Sequence, residues 1–578
     1  MQNISVDNGP MLNAYPDSMG GTLSDIINFL KKTEIKGVFR NFYILPSVFN
    51  SDLDRGFSII DYSLNELLAS KKDLECLDEL GIDLKLDFIL NHASVLSEQF
   101  QDIIKNGENS KYKDFFINWN KFWDGCGKMT EEGYIQPDQK LIEHMFFRKS
   151  GLPILMVRFP DGKNVPYWNT FYQEIRYPVV DPQDIMKITN VQYSIADKLA
   201  KITNSCITEG KKPAEISFAN VFPFNDENYS IKCKKAEHAV VNLLESNKKY
   251  LGQMDLNIES PLVWEFYDHT LKTLSEYGAK IVRLDAFAYA PKSPGEKNFL
   301  NEPGTWELME KISRLAEKYH LTLLPEIHAG YGEKIYEIIA RKGYMTYDFF
   351  LPGLILDALE RGQGDVLEAW AKELFEKKIR TVNMLGCHDG IPLLDLKGMI
   401  PRERIQSIID NVVRRGGYVK DLHGQKNMYY QVNATYYSAL GEDDKKMLLA
   451  RALQIFMPGK PQIWYLDLFV GKNDYDGVKR AGSGGHKEIN RTNLSLAQIE
   501  EGLKKDVVKK QLEMLKFRST FPAFSFESDF SVKSKDEKIT FVWEKDGYKA
   551  NLTANLRKSS FEITGTAIKG NELFKMEV

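Results

Sequence analysis

The sequence predicts an α/β fold organised as a (β/α)8 TIM barrel, and three observations predict it: eight short apolar runs of strand composition, amphipathic helix patterns between several of them, and polar residues collected just after the runs' C-terminal ends. Strands are predicted at 10–15, 37–45, 83–90, 280–285, 321–327, 345–350, 381–385 and 461–465. Helices are predicted at 22–32, 261–277 and 304–319, where apolar residues recur with helical spacing. In a barrel of this kind the functional groups sit where the strands end and the loops begin.

The alternation breaks between residues 91 and 252, where irregular aromatic sequence (FFINWNKFWDG, YWNTFYQEIRY) replaces the repeat. This predicts a barrel part at 1–93, an inserted domain after the third strand at 94–252, and a second barrel part at 253–520 that carries a loop subdomain at about 391–440. Within the inserted domain, 178–251 holds Lys-rich helical sequence (CKKAEHAVVNLLESNKKY) and reads as a further insertion. From 521 to 578 short alternating strands (KITFVWEKDGYKANLTANLR), with a turn at 545–547, predict a small antiparallel β domain.

A chain of 578 residues exceeds the usual single-domain length, in keeping with this division. Its 76 Lys+Arg and 80 Asp+Glu leave a net charge of −4 with no long run of one sign, which argues against nucleic acid or an anionic membrane as partner. Five scattered cysteines without a CxxC fit neither a disulfide framework nor a zinc site, and a reducing cytoplasm is the simpler expectation. The N-terminus lacks a basic-then-apolar signal pattern and no apolar run is long enough to span a bilayer, so a soluble, cytoplasmic protein is expected.

The most informative stretch is IVRLDAFAY (281–289), which sets Arg283 two residues before Asp285 on an apolar strand. Residues two apart on a strand share a face, so the guanidinium can hold Asp285 ionised where a lone carboxylate would be heavily penalised. Two more acids end similar strands: Glu326 in LTLLPEIHAG and Asp389 in VNMLGCHDG. Asp87, Asn91 and His92 stand together in DFILNHAS, and His388 precedes Asp389. Taken singly, each has an ordinary reading, a structural salt bridge for Arg283–Asp285, a surface carboxylate for Glu326, a satisfied core histidine for His92. Taken jointly, three acids at three strand ends point to one site.

Glycosyl transfer is the chemistry that uses such a set. In a retaining reaction one carboxylate attacks the anomeric carbon while a second, kept protonated, serves the leaving oxygen, the two being about 5–5.5 Å apart. Arg283 would keep the nucleophile ionised and a less polar pocket would keep the acid protonated.

Four motifs in order, DFILNH, VRLDAFAY, LPEIH and GCHDG, resemble those of the α-amylase superfamily (glycoside hydrolase family 13) of retaining glycoside enzymes. The resemblance implies Asp285 as nucleophile, Glu326 as general acid/base and Asp389 as transition-state stabiliser, with Arg283, His92, His328 and His388 about the glucosyl unit. Within that superfamily, ILPSVFNSDLDRGFSIIDY, FFRKSGLP, WNTF, GQMDLN, HDGIPLLDLKG, YYQVNATYYSALG, FMPGKPQIWY, GKNDYDGVKR and EINRTN resemble segments of the sucrose phosphorylase group over most of the chain. That likeness implies Asp54 on the far hydroxyls of glucose, Phe57 and Tyr289 as aromatic walls, Gln253 lining the glucosyl site, and Tyr430 and Gln431 on a loop over the acceptor site.

The chain departs from the group at the acceptor side. Lys149 and Lys487 stand where the group has arginines near phosphate, Met428 replaces an acidic fructose contact, and the 178–251 insertion precedes Gln253 closely. A lysine is a point charge and not a planar fork, so phosphate geometry differs. With Arg148 and His486, the two lysines would suit a phosphorylated sugar such as sucrose 6'-phosphate. The implied activity is phosphorolysis of sucrose or a related α-glucoside, with an α-glucoside and inorganic phosphate as small-molecule partners and no metal or organic cofactor. A hydrolase or transglucosidase with the same acids, a non-catalytic carbohydrate-binding protein, and a homodimer built on the insertion stay open at this stage.

Overall fold

The computed structural model describes residues 6–148, 151–219, 221–222, 229–421, 429–482, 485–567 and 570–578. Its centre is a parallel sheet of eight strands: β1 (Met11–Ala14), β2 (Asn41–Ile44), β3 (Asp83–Ile89), β4 (Ala279–Asp285), β5 (Thr322–Pro325), β6 (Thr346–Asp348), β7 (Thr381–Asn383) and β8 (Lys460–Trp464). The ladder order β5-β4-β3-β2-β1-β8-β7-β6 is that of a barrel opened at one seam, and no ladder joins β5 to β6 among the described residues. All eight predicted strands are present. Most are trimmed at their ends; in the predicted 37–45 run strand pairing begins only at Asn41, because residues 32–38 coil in turns closed by Ile35 N–H to Lys32 O and Val38 N–H to Ile35 O.

Alternation on β3 shows how the sequence divides its two faces. Phe88 meets the ring of Tyr267 on the helix Pro261–Glu276, with centroids 5.2 Å apart, whereas Lys85 and Asp87 point the other way, into the barrel. The predicted helices at 22–32, 261–277 and 304–319 appear as Leu23–Leu30, Pro261–Glu276 and Gly304–Lys318. Thr22 and Asp25 close a capping box on the first of these, satisfying N–H groups that a helix start leaves unpaired.

The chain divides into two compact units, 1–91 with 263–293 and 297–578, and 92–262 with 294–296. In the second unit the aromatic stretches gather Trp119, Trp123 and Trp168 into a buried cluster, Trp119 and Trp168 lying 4.8 Å apart and Trp119 donating to Ile135 O at 2.8 Å. Strands Gln173–Arg176 and Lys249–Asp255 pair antiparallel, and the chain between them makes helices Pro182–Thr189, Tyr193–Thr208 and Tyr229–Asn247 around a core of Ile185, Leu199, Phe218, Val240 and Leu244. The helical excursion is thus a long connection inside one hairpin.

In the first unit a three-stranded sheet (Ile391–Pro392, Tyr418–Asp421, Tyr429–Asn433) follows β7. The C-terminal strands β9 (Asp529–Lys535), β10 (Lys538–Lys545), β11 (Tyr548–Asn555), β12 (Ser560–Thr566) and β13 (Glu572–Glu577) form an antiparallel meander. The expected turn at 545–547 joins β10 to β11: Lys545 pairs with Tyr548, and Asp546 and Gly547 take φ of 49° and 80°, the left-handed pair that a two-residue hairpin requires. Trp543 on β10 is buried, donates to Phe456 O at 2.9 Å and packs its ring 4.7 Å from that of Phe530 at a tilt of 52°. Trp543→Ala removes this anchor and is expected to cost about 3–5 kcal/mol, read as an earlier urea midpoint by near-UV circular dichroism.

Candidate active site

Asp285 is the last residue of β4, and Ala286 turns the chain away with φ 51° into the short turn Phe287–Tyr289. Glu326 follows β5 directly and still donates its N–H to Leu284 O at 3.3 Å, so the ladder sets its place beside Asp285. The pairing expected from the two-residue spacing is present: Arg283 Nη1 lies 2.9 Å from Asp285 Oδ1. The guanidinium does more than that. Nη1 also reaches Asp87 Oδ1 at 2.5 Å, and Nη2 reaches Glu326 Oε1 at 2.7 Å. Its side chain is 3 % exposed, so the interaction is scarcely screened by solvent.

Three carboxylates on one buried guanidinium cannot all stay ionised without cost, and Asp285 and Glu326 hold a proton between them. Burial pushes Asp285 up to about 8 against the pull of Arg283. Glu326 moves the other way: burial opposes it, but Arg283 and the His328 imidazole 3.7 Å away bring it down to about 2. Arg283 serves both acids, and the His328 beside Glu326 is charged. Its Nδ1 lies 3.3 Å from Asp395, and Asp395 and Glu326 outweigh burial to raise it to about 10.

A second cluster lies around the loop after β7. His388 Nε2 is 3.1 Å from Asp389 Oδ2, and Lys487 Nζ is 2.5 Å from Asp389 Oδ1. Burial lowers the His388 imidazole against the pull of Asp389. Burial pushes Asp389 up, but His388, Lys487 and Arg491 outweigh it and hold the group well below the usual carboxylate range. Arg491 Nη1 reaches Asp54 Oδ1 at 3.4 Å and its Nε donates to His388 O at 2.8 Å. Asp54 keeps a side chain 44 % exposed, and Lys487 and Arg491 lower it against the raising effect of burial.

Asp54 and Arg55 take φ of 48° and 50°, uncommon for side-chain-bearing residues, and Gly56 takes 115°. A Cβ on Gly56 would meet Ser47 N at 2.1 Å, so only glycine lets the loop turn back and present Phe57. Phe57 stacks on His388, centroids 5.0 Å and planes 11° apart, and Arg283 lies 5.4 Å from its ring. Arg283, Glu326, His328, His388, Asp389 and Gln431 line one recess together with Tyr43, Tyr347 and Gln462.

The remaining predicted residues distribute as follows. Tyr289 sits on the turn after Asp285, 4.7 Å from Phe299. Gln431 donates to Asp389 O at 2.5 Å. Tyr430 occupies the strand Tyr429–Asn433, but its side chain, like Lys149 and Met428, lies outside the described residues. His92 and Gln253 belong to the other unit, where His92 pairs in register with Asp255 and Gln253 with Ser94, and the His92 ring is 4.9 Å from Phe171. His486 stacks on Tyr418 at 5.2 Å.

Sequence reasoning assigned no role to several groups that the structure brings in. Arg491 and Asp395 sit in EINRTN and HDGIPLLDLKG, segments noted only as stretches of likeness. Tyr43, which donates to Asp87 at 2.9 Å, carries no local signal. Lys85 does carry one, a lysine two residues before Asp87 on the same strand face. Among the described residues there is no group of His, Cys, Asp and Glu arranged to hold a metal ion, and no helix is long and apolar enough to cross a membrane.

No protein-family model matches the chain. Among curated proteins it is 46 % identical over 569 residues to sucrose 6(F)-phosphate phosphorylase of Ilumatobacter coccineus, covering 97 % of this chain and 96 % of that one. It is 32 % identical over 580 residues to sucrose 6(F)-phosphate phosphorylase of Thermoanaerobacterium thermosaccharolyticum, covering 99 % of each. The crystal structure of sucrose 6F-phosphate phosphorylase from Thermoanaerobacter thermosaccharolyticum superposes with a TM-score of 0.79 at 31 % identity, over 100 % of this chain and 99 % of that one. With such identity along nearly its whole length, the chain belongs to the sucrose phosphorylase family within glycoside hydrolase family 13, and is an enzyme of that kind, a glycosyltransferase.

Proposed function

We propose that the protein is a retaining phosphorylase that moves a glucosyl unit from sucrose 6'-phosphate, or a closely related α-glucoside, to inorganic phosphate. The observation that carries this reading is the Arg283 fork, which draws Asp285 and Glu326 to adjacent nitrogens of one guanidinium at 2.9 and 2.7 Å. Two carboxyls gathered so tightly fit the short separation of retaining enzymes, about 5–5.5 Å, better than the 6.5–9.5 Å that leaves room for an attacking water. The phosphorylated sugar is supported by the names of both curated relatives and by Lys487.

For reaction the proton held by the pair has to stand on Glu326. A leaving-group oxygen beside Glu326 favours the proton there, and Arg283 Nη1 then steadies the ionised Asp285. Asp285 attacks the anomeric carbon as Glu326 protonates the departing fructosyl oxygen. This yields a β-glucosyl ester on Asp285. Phosphate attacks the same carbon from the opposite face, yielding its proton to Glu326 as the ester bond to Asp285 breaks, and α-glucose 1-phosphate leaves with both carboxyls restored. His388 and Asp389 stand where hydroxyls of the glucosyl ring would be held, with Asp54 and Arg491 at the outer end of the same cluster. Lys487, which pairs with Asp389, supplies the cation that a phosphate oxygen would meet.

Incubation with sucrose 6'-phosphate or sucrose, with and without phosphate, tests the reading: glucose 1-phosphate is expected only with phosphate, and faster from the phosphorylated sugar. Free glucose formed equally without phosphate would make it a hydrolase. The pH profile gives a second check. A group raised to about 8 carries its proton below that pH and loses it above, so kcat/KM for phosphorolysis is expected to fall on an alkaline limb near pH 8 as the shared proton leaves.

A further inference from the structure

The residues that fill a TIM barrel below its site are ordinarily branched and apolar. Here the layer directly under the carboxylates holds a lysine. Lys85 is fully buried on β3, in register with Tyr43 of β2. Its Nζ lies 2.5 Å from Tyr347 Oη and 2.7 Å from Gln462 Oε1, on the far side of the barrel, and 3.8 Å from the centre of the Tyr43 ring. Tyr43 in turn donates to both oxygens of Asp87, at 3.1 and 2.9 Å, and Asp87 holds Arg283. The chain of contacts therefore runs from Lys85 through Tyr43 and Asp87 to the guanidinium that serves Asp285 and Glu326.

We propose that Lys85 is a positioning residue for glucosyl transfer, bracing Tyr43 and Tyr347 so that the Tyr43–Asp87–Arg283 chain holds Arg283 where its two nitrogens meet Asp285 and Glu326. The proposal deepens the phosphorylase reading and rests on it. Burial, with Arg283 nearby, lowers Lys85 well below an ordinary lysine, while Asp87, Glu326 and Cys387 pull the other way. Burial also raises Tyr43 and Tyr347 well above an ordinary phenol, so Tyr43 remains a donor to Asp87. The charged groups facing the shared proton are Arg283, Asp87, Asp389 and His328. The hydrogen bonds of the Lys85 amine go to Tyr347 and Gln462, not to either reacting carboxylate, and its effect passes through Tyr43.

Removing the amine frees Tyr43 to leave Asp87. Asp87 then draws more fully on Arg283, less of the guanidinium is left for Asp285 and Glu326, and their proton is held more tightly. Lys85→Met, which keeps the stem, is expected to leave KM within about two-fold, to lower kcat about 10- to 100-fold, and to move the alkaline limb of kcat/KM upward by about half a pH unit or more. A Lys85→Met/Tyr43→Phe double variant is expected to be little worse than Tyr43→Phe, because the two act in series.

An unmoved alkaline limb, or losses that simply multiply in the double variant, would overturn the proposal and leave Lys85 a structural residue. Should Lys85→Met fail to fold, Tyr347→Phe deletes only the hydroxyl that holds the amine, and the same limb must move upward, by less. Wild-type protein assayed in parallel separates the two levels of inference. If it shows no phosphate-dependent release, the phosphorylase reading fails; if it does and the limb stays fixed in the variants, only the role of Lys85 fails.

Discussion

A single guanidinium, buried at the C-terminal end of the barrel, answers three carboxylates. Arg283 touches Asp87, Asp285 and Glu326, and each contact is made where solvent scarcely screens charge. Buried charges of this kind are poor devices for stability, since desolvation offsets much of their attraction. They are effective at fixing where acids stand and how many protons they hold. Arg283 sets Asp285 and Glu326 side by side, and a retaining reaction needs one carboxyl with a proton and one without it.

The rest of the fold keeps that arrangement in place. Period-two alternation on β3 and β4 sends Asp87 and Arg283 inward at the same level, in register with each other. The β4–β5 ladder continues one residue past β5 to set Glu326. Around the opposite wall, the left-handed turn at Asp54–Gly56 delivers Phe57 onto His388, and Arg491 ties that turn to the loop carrying Asp389. Cationic groups thus stand on both sides of the recess: Arg283 and His328 by the reacting pair, Lys487 and Arg491 by Asp389 and Asp54.

Much of this was legible in the sequence, for identifiable reasons. The eight strands show because each is a short apolar run bounded by turns or helices, and Asp285 shows because an arginine two residues away on an apolar strand demands a partner. The hairpin at 545–547 shows because Asp-Gly favours its turn. Cross-barrel contacts are another matter. Lys85 meets Tyr347 and Gln462, 262 and 377 residues later, and nothing local announces that. The linkage of the two acids is of the same kind, since it depends on the second arm of Arg283 reaching Glu326 and on Asp395, in the turn Leu394–Leu396, pairing with His328.

The central claim is that Asp285 carries the glucosyl unit while Glu326 manages the proton. It is tested most directly by trapping. Glu326→Gln, given α-glucosyl fluoride, whose fluoride leaves without a proton, should accumulate the ester because its breakdown lacks a base. Peptide mass spectrometry after rapid acid quench is then expected to find one glucosyl unit on the peptide containing Asp285. A glucosyl unit on another residue, or turnover to β-glucose 1-phosphate with no adduct, would contradict the account.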